Sequence, residues 1–326
     1  MLFNENLEEI IFHRHELMES DELIVISGYI GPSPVSRLES LPMKSTVIYG
    51  MYGSDGISSN LHNALIDLNL KSDKTEIYYS LTPVHSKCYI WRQNKKIVTA
   101  LIGSANFSSN GIRTPFKEIL AETTHDTFVP LNAYYDKILE NSILCSDCDL
   151  KQKGQVKPIY EMNKTGICEM PLYDPKTNEL PDASGLNWGQ GAKAHTNKND
   201  AYIPIRVKVI KENPYLFPPK QEFPIVSEEY RKGHRHNDTI EIIWDDGTTM
   251  VGLLEQSQLV NGIKYPKGIS TTPFKKDLGE YLRKRIGVPL GEKVKMVDLL
   301  RYGRKDISIS LVGEGIYLFD FSVKPS

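Results

Sequence analysis

Residues 84–109 read VHSKCYIWRQNKKIVTALIGSANFSS: a histidine and a lysine two positions apart, an apolar run, then Gly103-Ser104-Ala105-Asn106. In a strand, positions i and i+2 share a face. His85 and Lys87 then point one way, while Ser86 and Cys88 point into the opposite layer. The apolar run 96–102 predicts a buried strand that delivers Gly103–Asn106 at its end, where small residues let the backbone approach a ligand closely. An imidazole, an ammonium, a hydroxyl and a carboxamide around one point suit an anionic phosphoryl centre. Lys87 and Asn106 hold the non-bridging oxygens, Ser104 assists, and His85 attacks phosphorus or donates a proton. A carboxylate is wanted behind the histidine to fix its tautomer. Glu118, at the start of the next predicted strand, is the candidate, with Glu122 four places further on as the alternative. Taken singly, His85 is an ordinary strand histidine and Lys87 a solvent-facing charge; the coordinated set turns the reading toward chemistry.

The elements needed to position this set are legible around it. Residues 4–19 and 129–139 show helical spacing, and 58–70 does too behind a serine cap. Runs 22–30, 45–53, 75–81, 85–92, 96–104 and 117–124 predict strands. Strands alternating with helices point to an α/β layer structure around a mostly buried sheet. The character changes after about residue 150. Residues 151–166 are polar and poorly periodic, which predicts a linker between a first domain, 1–150, and a second, 167–326. In the second, short strands dominate (202–210, 239–244, 249–256, 307–312, 315–323), with a hairpin turn at Trp244-Asp245-Asp246-Gly247-Thr248 and one clear helix at 275–287. This predicts a mainly β barrel or sandwich with an inserted helix.

A chain of 326 residues is long enough for two such domains. The formal net charge of −2 hides an asymmetry. Residues 1–150 carry 12 Lys and Arg against 19 Asp and Glu, and residues 151–326 carry 27 against 22. The second half is therefore the better partner for a polyanion. No apolar run approaches the ~20 residues of a membrane helix, the acidic amphipathic start is no secretory signal, and four cysteines in this length make no disulfide framework. A cytoplasmic protein is expected. Cys145-x-x-Cys148 with Cys168 lacks a convincing fourth ligand, so no metal is expected. No Walker-type phosphate loop is present, so ATP would enter only through a separate ATPase subunit.

His85-Ser86-Lys87, Gly103-Ser104-Ala105-Asn106 and Glu118 together resemble the signature of the phospholipase D superfamily. That family usually has Asp five residues after the lysine, where this chain has Arg92. The second half resembles the C-terminal domain of NgoFVII-type restriction endonucleases, relatives of the BfiI enzyme, most specifically at Leu186-Asn187-Trp188-Gly189-Gln190 and in the run 278–287. The resemblance implies a phospholipase D-like catalytic and dimerisation domain followed by a pseudobarrel similar to the plant B-three DNA-binding domain. It implies metal-independent cleavage of double-stranded DNA through a phosphohistidine. With one motif copy per chain, the two histidines of the chemistry come from a homodimer. A cognate DNA methyltransferase and a separate ATPase or helicase-like subunit are possible partners by the same resemblance. In such a fold two polar arms grip the major groove. Gln190, Lys193, His195, Asn197, Lys198 and Asn199 make one, and Lys267, Ser270, Thr271, Thr272, Lys275 and Lys276 the other, all side-chain types that read bases or hold phosphates. The rival readings are an RNA or lipid phosphodiesterase of the same superfamily and a DNA-binding regulator with an inert core.

Overall fold

The structure, a computed structural model, describes residues 1–148, 167–191, 196–220 and 237–323. The chain divides into two compact units, Met1–Lys164 with Val312–Ile316, and Thr165–Leu311 with Tyr317–Ser326. The expected linker, 151–166, lies outside the described residues.

In the first unit the described strands are β1 (Leu2–Phe3), β2 (Glu22–Ser27), β3 (Lys44–Tyr49), β4 (Thr75–Ser80), β5 (Lys87–Gln93), β6 (Lys96–Gly103), β7 (Leu120–Glu122) and β8 (Ser142–Leu144). They form one sheet in the order β1-β7-β6-β5-β2-β3-β4-β8. The pairs β2/β3 and β3/β4 are parallel, and the remaining pairs are antiparallel. Parallel neighbours require crossovers. Helices supply them: α2 (Pro32–Arg37) between β2 and β3, then α3 (Tyr52–Asp55) and α4 (Ser59–Lys71) between β3 and β4, after α1 (Leu7–Leu17) at the start. The expected serine cap of α4 is Ser58, whose Oγ accepts from the Leu61 N–H at 3.3 Å. The central strands are apolar on both faces because both are covered: Leu23, Ile24, Val25, Ile26, Val47 and Ile48 are all buried. Two further helices, α5 (Ser109–Arg113) and α6 (Phe128–Glu140), complete the unit.

The second unit contains β9 (Cys168–Pro171), β10 (Ile203–Pro204), β11 (Asp238–Trp244), β12 (Thr249–Glu255), β13 (Gln258–Val260), β14 (Ile263–Tyr265), β15 (Gly268–Thr271) and, apart from their adjoining ends within Val312–Ile316, β16 (Asp306–Gly313) and β17 (Ile316–Asp320). Seven of them make a sheet ordered β10-β15-β12-β11-β17-β16-β9, a mainly β pseudobarrel. Its interior holds Trp244, Phe319, Phe321, Ile240, Ile242 and Leu282. The expected turn joins β11 to β12, with Gly247 at φ +85° and the Gly247 N–H bonded to the Trp244 carbonyl at 3.0 Å.

Several elements of the second unit depart from the sequence reading. The single strand expected over 202–210 is a two-residue strand followed by a helix, Val207–Glu212. Val209 and Ile210 are both buried; adjacent inward positions fit a helix face and not strand alternation. The expected polar arm over 267–276 contains β15, in which Ser270 and Thr271 are buried. A helix at Met296–Tyr302, closed by Gly303 at φ +95°, had no expectation.

Candidate active site

The strand carrying the lysine starts at Lys87 itself, so His85 lies in the loop just before it and not in the strand expected over 85–92. Lys87 is buried and its Nζ donates to the His85 carbonyl at 2.6 Å, with both ring nitrogens of His85 at 3.1 Å. His85 is exposed. Burial lowers the Lys87 pKa, against the opposing pull of the Glu314 and Glu118 carboxylates. Tyr89 lies two places further along β5, and its hydroxyl donates to the Ala105 carbonyl at 2.8 Å, fixing the turn after β6. Phe107 anchors that turn from beneath, fully buried against Phe12 and Tyr89.

The turn needs its glycine. A Cβ at Gly103 would stand 2.0 Å from the Ile119 carbonyl oxygen, so only glycine allows the chain to pass. Ser104 is exposed, its Oγ accepts from the Ile119 N–H at 3.1 Å, and its own N–H bonds the Ile119 carbonyl at 3.0 Å. The serine thus ties the residue next to Glu118 onto the Gly-Ser turn. Asn106 is buried. Its Oδ1 accepts from the Tyr29 N–H at 3.1 Å, and its Nδ2 donates to Glu314 Oε2 at 2.8 Å. Glu314 belongs to the Val312–Ile316 segment of the first unit and also lies 3.7 Å from Lys117.

The convergence of the set is measured best at Gly28, in the turn after β2. A Cβ built there would lie 3.0 Å from His85 Cδ2, 3.3 Å from Lys87 Nζ and 3.4 Å from Asn106 Oδ1. The segment entering β5 and the turn after β6 therefore bring imidazole, ammonium and carboxamide to one point beside the turn after β2. Sequence reasoning did not single out Ser27, Gly28, Tyr29 or Glu314. The small pair Ser27-Gly28 at a strand end is the same signal that pointed to Gly103-Ser104, and it was absorbed into an expected strand.

Glu118 and Glu122 separate. Glu122 is paired with Arg14 and with the amino terminus at 3.7 Å. Glu118 is half-buried in the loop before β7 and acts electrostatically on Lys87; no hydrogen bond joins it to His85 among the described residues. Arg92, at the departure from the superfamily pattern, is buried and pairs with Glu22, its register partner on β2, at 2.6 Å. It also stacks over Tyr135. That position is an internal ion pair across two neighbouring strands.

In the second unit the residues expected to meet DNA divide by environment. Lys193 and His195 lie outside the described residues. Gln190 donates to the carbonyls of Lys198 and Gly291, and Asn199 Oδ1 accepts from the Gly291 N–H at 2.7 Å, so both side chains brace their own loop. Asn197, Lys198 and Lys267 are exposed, and Thr272 is half-buried. Lys275 pairs with Glu255 and lies over the Trp188 ring, while Lys276 is half-exposed beside Phe274. Thr271 Oγ1 donates to the Phe274 carbonyl and accepts from the Leu278 N–H, binding β15 to the start of the following helix. Of the cysteines, Cys145 is buried with its thiol pushed up to about 12 by desolvation, Cys148 contacts the Tyr52 hydroxyl at 2.9 Å, and Cys168 packs in the second unit.

A sheet flanked by helices with His85, Lys87 and Asn106 converging beside it, on a chain that also carries a mainly β pseudobarrel, defines a phospholipase D-like phosphodiesterase fused to a DNA-binding unit. The sequence matches the NgoFVII restriction endonuclease N-terminal PLD domain over residues 5–152 and the NgoFVII C-terminal B3-like DNA-binding domain over residues 163–312. The chain belongs to the NgoFVII restriction endonuclease family: it is a nuclease of the hydrolase class, and DNA is its partner. Similar solved structures include NucT from Helicobacter pylori, 19% identical, covering 44% of this chain and 97% of that one at a TM-score of 0.34. The phospholipase D family member Nuc from Salmonella typhimurium is 11% identical over 42% of this chain and 87% of its own, with a TM-score of 0.31. No curated protein matches the sequence at a significant level. Among the described residues, no helix is long and apolar enough to cross a membrane.

Proposed function

We propose that the protein is a metal-independent, sequence-specific endonuclease of a restriction-modification system, with one catalytic centre built from two copies of the chain. The observation that carries this is the convergence of His85, Lys87 and Asn106 beside Gly28, in a chain with a single His-x-Lys motif. His85 of one subunit attacks phosphorus and forms a nitrogen–phosphorus bond as the leaving oxygen departs. The partner subunit's His85 gives that oxygen its proton, then takes a proton from the water that attacks the phosphohistidine and frees the enzyme. Lys87 and the Asn106 amide stabilise charge on the non-bridging oxygens. Glu118 orients His85 once substrate draws the site together. The pseudobarrel selects the sequence through exposed groups such as Asn197, Lys198 and Lys267. Two identical histidines across a twofold axis require a symmetric dimer.

Because an ammonium and an amide occupy the role of a cation, cleavage of plasmid DNA proceeds undiminished in excess EDTA. Abolition of cleavage by chelation, with recovery on adding Mg²⁺, refutes this mechanism.

A pH dependence follows from the same residues. Lys87 must keep its proton to hold a phosphate oxygen. Its folded pKa is lowered, chiefly by burial, so the alkaline limb of kcat/KM that it sets falls below the ordinary lysine value. Glu314 is one of two carboxylates that pull the Lys87 pKa back up. Glu314→Gln removes that pull and displaces the limb further to lower pH. A pH–kcat/KM profile of both proteins checks the sign; a limb that moves upward excludes Lys87 as the group observed.

A further inference from the structure

We infer that Ser27, which has no part in the expected catalytic set, is a positioning residue that sets which way the Asn106 carboxamide faces; the inference rests on Asn106 being a phosphate-stabilising donor. Ser27 is the last residue of β2 and is fully buried. Its Oγ donates to the Tyr29 carbonyl at 2.6 Å and accepts from the Phe107 N–H at 2.9 Å. A hydroxyl has one proton, so the 3.4 Å approach of Oγ to Asn106 Oδ1 is at best a weak share of a bond already given to Tyr29. The action of Ser27 is therefore on the backbone. It joins residues 27–29 to the turn carrying Asn106, one residue on each side of the site.

That join has a chemical consequence. A primary amide is a donor at one end and an acceptor at the other, and only its NH2 end stabilises a phosphate oxygen. The Tyr29 N–H meets Asn106 Oδ1 at 3.1 Å, which commits the acceptor end inward and turns Nδ2 outward, where it meets the Glu314 carboxylate at 2.8 Å. The far end of the same loop is held as well: the Tyr29 hydroxyl donates to the buried carboxylate of Asp55 at 2.5 Å, and the Tyr29 ring meets His85 edge-on at 6.0 Å. Gly28 lies between these two anchors, against all three catalytic side chains. Removing the Ser27 hydroxyl leaves the Phe107 N–H and the Tyr29 carbonyl without this partner and frees the loop to shift relative to Asn106.

The test is a double-mutant cycle on the full-length enzyme with DNA as substrate. Ser27→Ala lowers kcat on the order of 10- to 100-fold with KM little changed, as for a donor displaced by about an ångström. In the Asn106→Ala background the same Ser27→Ala change has almost no further effect, because the amide it positions is gone. Should Ser27→Ala fail to fold, Ser27→Cys fills nearly the same space with a weak hydrogen-bonding group and is put through the same cycle. Equal losses from the Ser27 change in both backgrounds, or a folded Ser27 variant with normal kcat, overturn the inference. If Asn106→Ala itself keeps full activity, the failure lies instead with the assignment of Asn106 as a catalytic donor.

Discussion

His85→Ala abolishes cleavage, with a fall in kcat on the order of 10⁴-fold or more, while folding and DNA binding persist. The side chain is exposed, two residues before β5, so its removal opens no cavity. It takes away nucleophile and acid together if both come from the same residue in two copies. Mixed dimers make the stronger test. When mutant is titrated into wild type under exchanging conditions, a centre that needs two histidines loses activity as the square of the wild-type fraction, leaving about a quarter at equal amounts. Following both DNA strands separates this from two independent centres, which retain about half the activity or nick one strand at a near-normal rate. A loss only in proportion to the wild-type fraction rules out the shared centre.

The second large effect concerns recognition. A fragment beginning near residue 167 has its own apolar interior, from Cys168 and Met170 through Trp244 to Phe321. It binds duplex DNA with at least ~10³-fold preference for its own sequence over random duplex, and its affinity falls steeply with salt as lysine-bound counterions are exchanged. Binding isotherms at several salt concentrations, on a randomised pool and then on the selected site, measure both. A folded fragment that shows no preference among sequences removes target recognition from this unit. Replacing exposed Lys198 or Lys267 with Ala weakens binding about equally on all sequences if the residue touches phosphate, and selectively if it touches a base.

The candidate trio is legible in the sequence alone. His85, Lys87 and Asn106 are named by local spacing, because a His-x-Lys pair and a small-residue turn at a strand end are properties of a few consecutive residues. The same holds for the alternation of strands and helices in the first unit and for the Asp245-Asp246-Gly247 turn, where backbone chemistry is local. What the tertiary structure decided is everything that depends on neighbours remote in the chain. Glu122 is bound to Arg14 of α1, more than a hundred residues earlier in the chain, while Glu118 acts on Lys87; four residues of sequence separation could not distinguish them. Arg92 stands where an acid is usual because Glu22 faces it across the ladder. Ser270 and Thr271 looked like arm residues and are instead covered in β15, since the burial of a hydroxyl depends on what packs over it and not on its own polarity. The inward orientation of Asn106 Oδ1 is set by Ser27 and Tyr29, about eighty residues earlier. A carboxamide is the same residue in either rotamer, and only the partners at its two ends decide which atom meets the phosphate.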